Sequence, residues 1–185
     1  LAASGVLVPP VIEHVSTAEF RLLFREHFRF VCLSLRRLGV RDADVEDVAQ
    51  DVFVTVHRKL ETFDRTRSIR VWLFAICLRT ASAHRRLARH RRFVHEETPP
   101  EVAADGPLPD DKLAAEQDRL LVLAALDGID PQRRAVFVMY DLEDFTVAEI
   151  AETLSIPVNT VYSRLRVARE EFRQQITRLR ARRPR

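Results

Sequence analysis

The sequence predicts an all-α fold in two small helical modules. Three observations carry this. Only four Gly occur among 185 residues, without hairpin turn signals between alternating apolar runs. Apolar residues recur at helical spacing over most of the chain. One Pro-rich acidic stretch interrupts them. A chain that is 46% hydrophobic and 31% charged has globular composition, and at ~100–200 residues per domain its length allows one domain or two small ones.

The interruption runs from Glu96 to Asp111 and holds Pro99, Pro100, Pro107, Pro109 and Gly106. Proline blocks helix continuation and biases the preceding residue away from helical backbone. Residues 96–112 are therefore predicted to link a module at 16–95 to a second at 113–180. Each module is small, buries a limited core and leans on partners.

In the first module a helix is predicted from about Thr17 to Leu38. Phe20, Leu23, Phe24, His27, Val31, Leu35 and Leu38 form its apolar stripe, and Gly39 stops it. A second helix starts near Asp42 or Asp44, with acids in its first turn, and runs to about Thr62. A third starts after Ser68, with Trp72, Ile76, Ala83 and Leu87 as its expected buried stripe. In the second module Leu113 to Leu126 reads as a helix ended by Gly128, and Pro131 opens another that reaches Leu142. Thr146, with Glu149 three residues on, is a capping box for a short helix from Val147 to Leu154. Ser155, Ile156 and Pro157 form a tight turn, and a last helix runs from Val158 to about Leu179.

Charge is unevenly placed. The net is +3, and of 30 basic residues only Lys59 and Lys112 are not Arg. Arg suits phosphate and base recognition; a GC-rich coding sequence gives the same bias. Clustering says more. Arg79 to His95 holds six Arg, three His and no acid; Arg164 to Arg185 holds nine Arg; between them Glu96 to Asp118 holds eight acids. His84, His90 and His95 read as solvated surface.

Several classes are excluded. No apolar run of ~18 residues exists to cross a membrane, and the stretch from Leu1 to Ile12 makes a poor signal peptide. Cys32 and Cys77 build no disulfide framework, which fits a reducing cytoplasm. No nucleotide-binding, hydrolase or metal-ligand motif occurs, so no catalytic site, metal or cofactor is expected.

The pair of helices around Ser155 is the strongest local signal. Val147, Ile150, Ala151 and Leu154 face Val161, Leu165, Ala168 and Phe172 across a three-residue turn. That describes a helix-turn-helix, whose second helix enters the DNA major groove; an ordinary helical hairpin shares the spacing. Opposite the buried face, at ~100° per residue, lie Asn159, Ser163, Arg166, Val167 and Glu170. Tyr162 and Arg169 flank them on one side, Thr160 and Arg164 on the other. An Arg at the centre of a hydrogen-bonding face reads guanine edges. Arg164, nearer the packing edge, meets phosphate or braces the fold.

On the second helix Val54 falls opposite the apolar face, ringed by Asp47, Gln50, Asp51 and Arg58. A lone exposed Val needs no explanation, but an apolar centre with a charged rim also describes a small docking patch. Trp72 follows Arg65, Arg67 and Arg70 and precedes the Arg cluster. It is either core at helical spacing or a stacking platform for single-stranded nucleic acid.

Four stretches together resemble the bacterial RNA polymerase sigma factors of the extracytoplasmic-function type. Asp44 to Phe53 (DVEDVAQDVF) resembles the region-2 helix that docks on the clamp helices of the polymerase β′ subunit. Phe63 and Asp64, followed by Val71 to Ile76 (VWLFAI), resemble the part of region 2 that melts and reads the −10 element. Asp130 to Phe137 (DPQRRAVF) resembles the start of region 4, and Thr146 to Arg169 resembles its −35-reading helix-turn-helix. The resemblance covers about Phe20 to Ile176. Three positions depart from it: Asn159 stands where Gly is usual, and still suits a helix cap; Arg79 stands where Asn is common; Ile69 replaces a frequent aromatic.

The resemblance implies a non-enzymatic protein that directs core polymerase to promoters. It implies −35 contacts from Asn159, Thr160, Tyr162, Ser163, Arg164, Arg166 and Arg169. It implies −10 contacts from Phe63, Asp64, Trp72, Arg79, Arg85 and Arg86, and polymerase contacts from Asp47, Gln50, Asp51, Val54 and Arg58. Expected partners are core RNA polymerase, through the β′ clamp helices and the β flap, promoter DNA, and an anti-sigma factor. The linker is expected to thread toward the polymerase active-site cleft, its acids imitating a nucleic-acid strand. The rival is a free-standing helix-turn-helix repressor or activator, dimeric on a palindrome. Such a protein needs neither the Val54 patch nor the Trp72 segment.

Overall fold

The computed structural model describes residues 17–94 and 110–182. The described residues are helical, without strands. The first module packs α1 (Thr17–Arg37), α2 (Val45–Lys59) and α3 (Ile69–Val94) against one another. Single 3₁₀ turns flank α2 at Asp42–Asp44 and Leu60–Thr62. Apolar residues at helical spacing drive this: Val45, Val48, Ala49, Val52, Phe53 and Val56 of α2 are buried between Val31 and Leu35 of α1 and Leu73, Phe74, Ile76 and Cys77 of α3. Each such side chain removed from water stabilises by ~1.5–3 kcal/mol before the cost of ordering it.

The second module packs α4 (Asp110–Asp127), α5 (Pro131–Phe137), α6 (Val147–Leu154) and α7 (Val158–Ala181). Asp130 caps α5 by accepting from the amides of Gln132 and Arg133, with Pro131 in the first turn. The α-helix does not continue to Leu142 as expected. Residues Val138–Leu142 form a π turn, with the Glu143 amide reaching back to the Val138 carbonyl at 3.0 Å. The widened turn carries the chain into Asp144 at φ 57° and so aims Phe145 inward.

Other expectations need correction. Leu87 is 59% exposed rather than part of the buried stripe of α3. That stripe is Leu73, Phe74, Ile76, Cys77 and Ala81, and no described residue of α3 beyond Ala81 is buried, because the helix runs past the body that covers it. Phe24 lies at the exposed edge of the α1 stripe. His84 is half-buried, with Nε2 3.2 Å from Asp44 Oδ2, not solvated surface; His90 and His95 lie outside the residues whose side chains are described. Residues 95–109, most of the expected linker, also lie outside the description, and its last residues form the first turn of α4.

The two modules pack together through one continuous core. The Phe74 ring of α3 meets Phe145 edge-on at 5.7 Å. Ion pairs add to this apolar contact. Glu143, 5% exposed, accepts from Arg37 of α1 and, at 2.7 Å, from Arg70 of α3. Arg67 pairs with Glu152 of α6. The Arg134 guanidinium of α5 lies over Gly39 at the end of α1 and bonds Asp127 at 3.0 Å; burial lowers its pKa.

Candidate nucleic-acid and polymerase interfaces

The capping box starts α6 as expected. Thr146 Oγ1 accepts from the Glu149 amide at 3.2 Å, and the Glu149 carboxylate accepts from the Thr146 amide at 2.8 Å. Ser155 ends the helix in the left-handed conformation at φ 52° and turns the chain through Ile156 into α7. The N-cap of α7 is Pro157, without a side-chain cap. Asn159 is thus the second residue of the helix and does not cap it; its side chain is exposed.

Val161, Leu165 and Ala168 bury the inner face of α7, and Phe172 lies 4.8 Å from Phe137. Outside lie Asn159, Tyr162 (56% exposed), Ser163 and Arg166, with Thr160 half-exposed beside them. Ser163 Oγ donates to the Thr160 carbonyl at 3.0 Å. Arg166 makes no hydrogen bond or ion pair with any described residue, so its guanidinium is available to a ligand. The other two arginines brace the module. Arg164 donates to Gln132 Oε1 at 2.7 Å. Arg169 forks onto both oxygens of Asp141, at 2.6 and 3.0 Å, and lies over the Tyr140 ring; the carboxylate raises its pKa.

Of the −10 set, Phe63 and Trp72 have ring centroids 4.7 Å apart with their planes tilted by 39°, and both are half-buried. Asp64 shapes the loop between them. Its carboxylate accepts from Thr66 Oγ1 at 2.7 Å and from the Thr66 amide at 3.0 Å, bonds that hold its pKa below the ordinary value. Trp72 and Arg79 line a cleft of about 530 Å³ whose far wall is Glu149, Glu152, Thr153 and Ser155 of the second module. Arg86 is exposed. Arg85 is turned inward, donating to the Leu38 carbonyl and tying α3 to the end of α1.

Asp47, Gln50, Asp51, Val54 and Arg58 form one exposed ridge along α2, with Val54 49% exposed at its centre. Sequence reasoning missed the aromatic cluster beside this helix. Phe20, Phe24 and Phe28 of α1 gather around Phe53, and the Phe24 ring lies 4.6 Å from it. The four-residue spacing of those phenylalanines was the signal. Glu143 was also missed, and no local pattern marks it, because its partners lie 106 and 73 residues away. Among the described residues no group of His, Cys, Asp or Glu is placed to hold a metal ion, and no helix is long and apolar enough to cross a membrane.

A three-helix module with an exposed ridge on its second helix, joined to a helix-turn-helix, defines the class that comparison identifies. The chain matches the family model for sigma-70 region 2 over residues 23–93 and that for sigma-70 region 4 over residues 119–172. It is 31% identical over 160 residues to the RNA polymerase sigma factor CnrH of Cupriavidus metallidurans, covering 83% of this chain and 84% of that one. It is 33% identical over 152 residues to the ECF sigma factor SigL of Mycobacterium tuberculosis, covering 82% and 85%. The structure of CnrH in complex with the cytosolic domain of CnrY superposes with a TM-score of 0.64, at 27% identity, over 88% of this chain and 90% of that one. The sigma factor RpoE of Bartonella quintana, solved with the anti-sigma factor NepR, shares the fold at a TM-score of 0.72 and 17% identity, over 87% and 98%. The chain belongs to the sigma-70 family, as an ECF-type sigma factor that directs promoter-specific transcription initiation. It is a non-catalytic polymerase subunit: the core enzyme it binds supplies the chemistry.

Proposed function

We propose that α7 reads the −35 element through Asn159, Thr160, Tyr162, Ser163 and Arg166, with Arg164 and Arg169 holding the reading helix in place. The exposed guanidinium of Arg166 carries this reading: it is an unengaged charge near the start of a groove-sized helix whose opposite side is buried. The tilted Phe63–Trp72 pair and Arg79 serve the −10 element, where aromatic and phosphate contacts suit an opened strand. Arg86 adds a phosphate contact, while Asp64 shapes the loop and Arg85 braces α3. The ridge of Asp47, Gln50, Asp51, Val54 and Arg58 meets the β′ clamp helices, and the second module meets the β flap. Residues 16–95 and 113–180 are the working units and 96–112 their connection. An anti-sigma protein holds the chain in check, as the RpoE and CnrH complexes suggest by kinship, and the protein works in the cytoplasm.

Arg166 and Arg164 test the reading face. Arg166→Ala loses ~1–3 kcal/mol of −35 affinity, concentrated on one or two base pairs. Arg164→Ala weakens all promoters alike, through loss of its bond to Gln132. Transcription by holoenzyme from a set of −35 variants separates the two. An Arg166→Ala defect spread evenly over all sequences would reject this face.

A further inference from the structure

α7 is longer than base reading requires. Its 24 residues extend about 36 Å at the ~1.5 Å rise of an α-helix. Val161, Leu165 and Ala168 bury its inner face, and Phe172 packs on Phe137. No described residue of α7 beyond Ala168 is buried. The second half nonetheless carries positive charge in a regular place. Asn159, Arg166, Arg173 and Arg180 follow one another at seven-residue steps. Each such step drifts by only ~20° around a helix, so the four form one row that starts at the base-reading end and runs nearly the length of α7.

The fold's own ion pairs leave this row nearly untouched. Arg164 and Arg169, off the row, are taken by Gln132 and Asp141, and Glu171 is taken by Arg133 at 2.7 Å. Arg166 and Arg180 make no hydrogen bond or ion pair with any described residue. Arg173 donates to Glu170 at 2.5 Å, three residues back, with side chains 70% and 51% exposed. A pair so exposed contributes little, and a phosphate displaces it readily. Arg178 is also exposed, but it projects ~140° away from Arg173 around the helix.

Reach decides what the row meets. Asn159 to Arg166 spans ~10 Å of helix, which fills a major groove ~12 Å wide. Arg173 stands ~10 Å beyond Arg166, and Arg180 ~21 Å beyond it. Both lie past the base edges, on the side of α7 that faces DNA, where the sugar-phosphate backbone borders the groove. We propose that Arg173 and Arg180 are phosphate clamps beside the −35 element. They grip the backbone, add affinity without sequence preference, and fix how deeply the reading end of α7 sits. Unengaged guanidinium groups continuous with a base-reading face complement a polyanion in both charge and position. The proposal rests on α7 being the −35-reading helix.

The test uses holoenzyme, core polymerase with the full chain, on a fluorescent promoter duplex that this holoenzyme selects from randomised DNA. A second duplex has its −35 element scrambled. Binding is measured between about 50 and 200 mM salt. Arg173→Ala and Arg180→Ala each bind several-fold more weakly, by the same factor on both duplexes, and each flattens the salt slope by ~0.9. Arg178→Ala removes the same charge from another side of the same helix and stays within about twofold of wild type. All three positions are exposed, so thermal unfolding is unchanged. Neutral methylphosphonates, placed singly along both strands beside the −35 element, weaken wild type at a position to which Arg173→Ala is insensitive. Equal losses from all three variants overturn the row. A loss confined to particular −35 bases, or one that no single methylphosphonate reproduces, overturns the phosphate contact. Arg166→Ala tests the underlying reading separately. If it leaves the −35 preference intact while Arg173→Ala and Arg180→Ala weaken both duplexes, the base-reading assignment fails and the clamps stand.

Discussion

Gly39 ends α1 at φ 87°, and a Cβ there would run into the Arg134 guanidinium. Gly39→Ala is therefore expected to destabilise by ~1–2 kcal/mol from the left-handed backbone alone, with more from displacing Arg134. A lower urea midpoint at unchanged slope checks it. His27 tests burial in a different way. Burial is the main cause of its lowered pKa, with Arg70 pushing the same way and Glu26 opposing. The unfolded chain then binds a proton more readily than the folded one as pH falls below ~6.5. Stability is present above that value and is lost as pH drops toward the folded pKa, and His27→Gln flattens this slope in urea titrations between pH 7 and 5. At this scale the sequence was partly legible. Gly39 as a stop and Arg166 as an outward residue follow from spacing alone. That Asn159 sits inside the helix, or that Arg85 turns to the Leu38 carbonyl, depends on backbone placement no spacing reveals.

The helices themselves were the most legible level, because each has one buried stripe that the 3.6-residue period writes into the chain. The stripe of α2 and the inner face of α7 stand where periodicity puts them. Leu87 shows the limit: period marks which side of α3 is apolar, but not where the covering helices end. The π turn at Val138–Leu142 was invisible for a related reason, since its one-residue widening serves the placement of Phe145. The ridge on α2 makes an element-scale prediction. Val54→Glu and Asp51→Arg each put a wrong charge into the proposed clamp contact without touching the core. Either variant is expected to bind core polymerase roughly tenfold or more weakly, with its thermal unfolding unchanged. Undiminished retention on immobilised core polymerase would reject the ridge.

At the scale of the whole molecule, two modules recognisable from sequence close into one body by contacts sequence could not supply. Glu143 joins Arg37 and Arg70 across 106 and 73 residues, and Phe145 meets Phe74. Pairings so distant in sequence leave no periodic trace. The modules' order, by contrast, was legible, and with it the claim that one chain reads two separated promoter elements on behalf of core polymerase. The most direct measurement is a selection: core polymerase with this protein transcribes a library of randomised promoters, and the transcribed templates are sequenced. The account predicts enrichment of two unlike elements at a fixed spacing, dependent on both proteins, with the −35 preference altered by Arg166→Ala. Enrichment of a single palindrome, or the same sequences recovered without core polymerase, would contradict it.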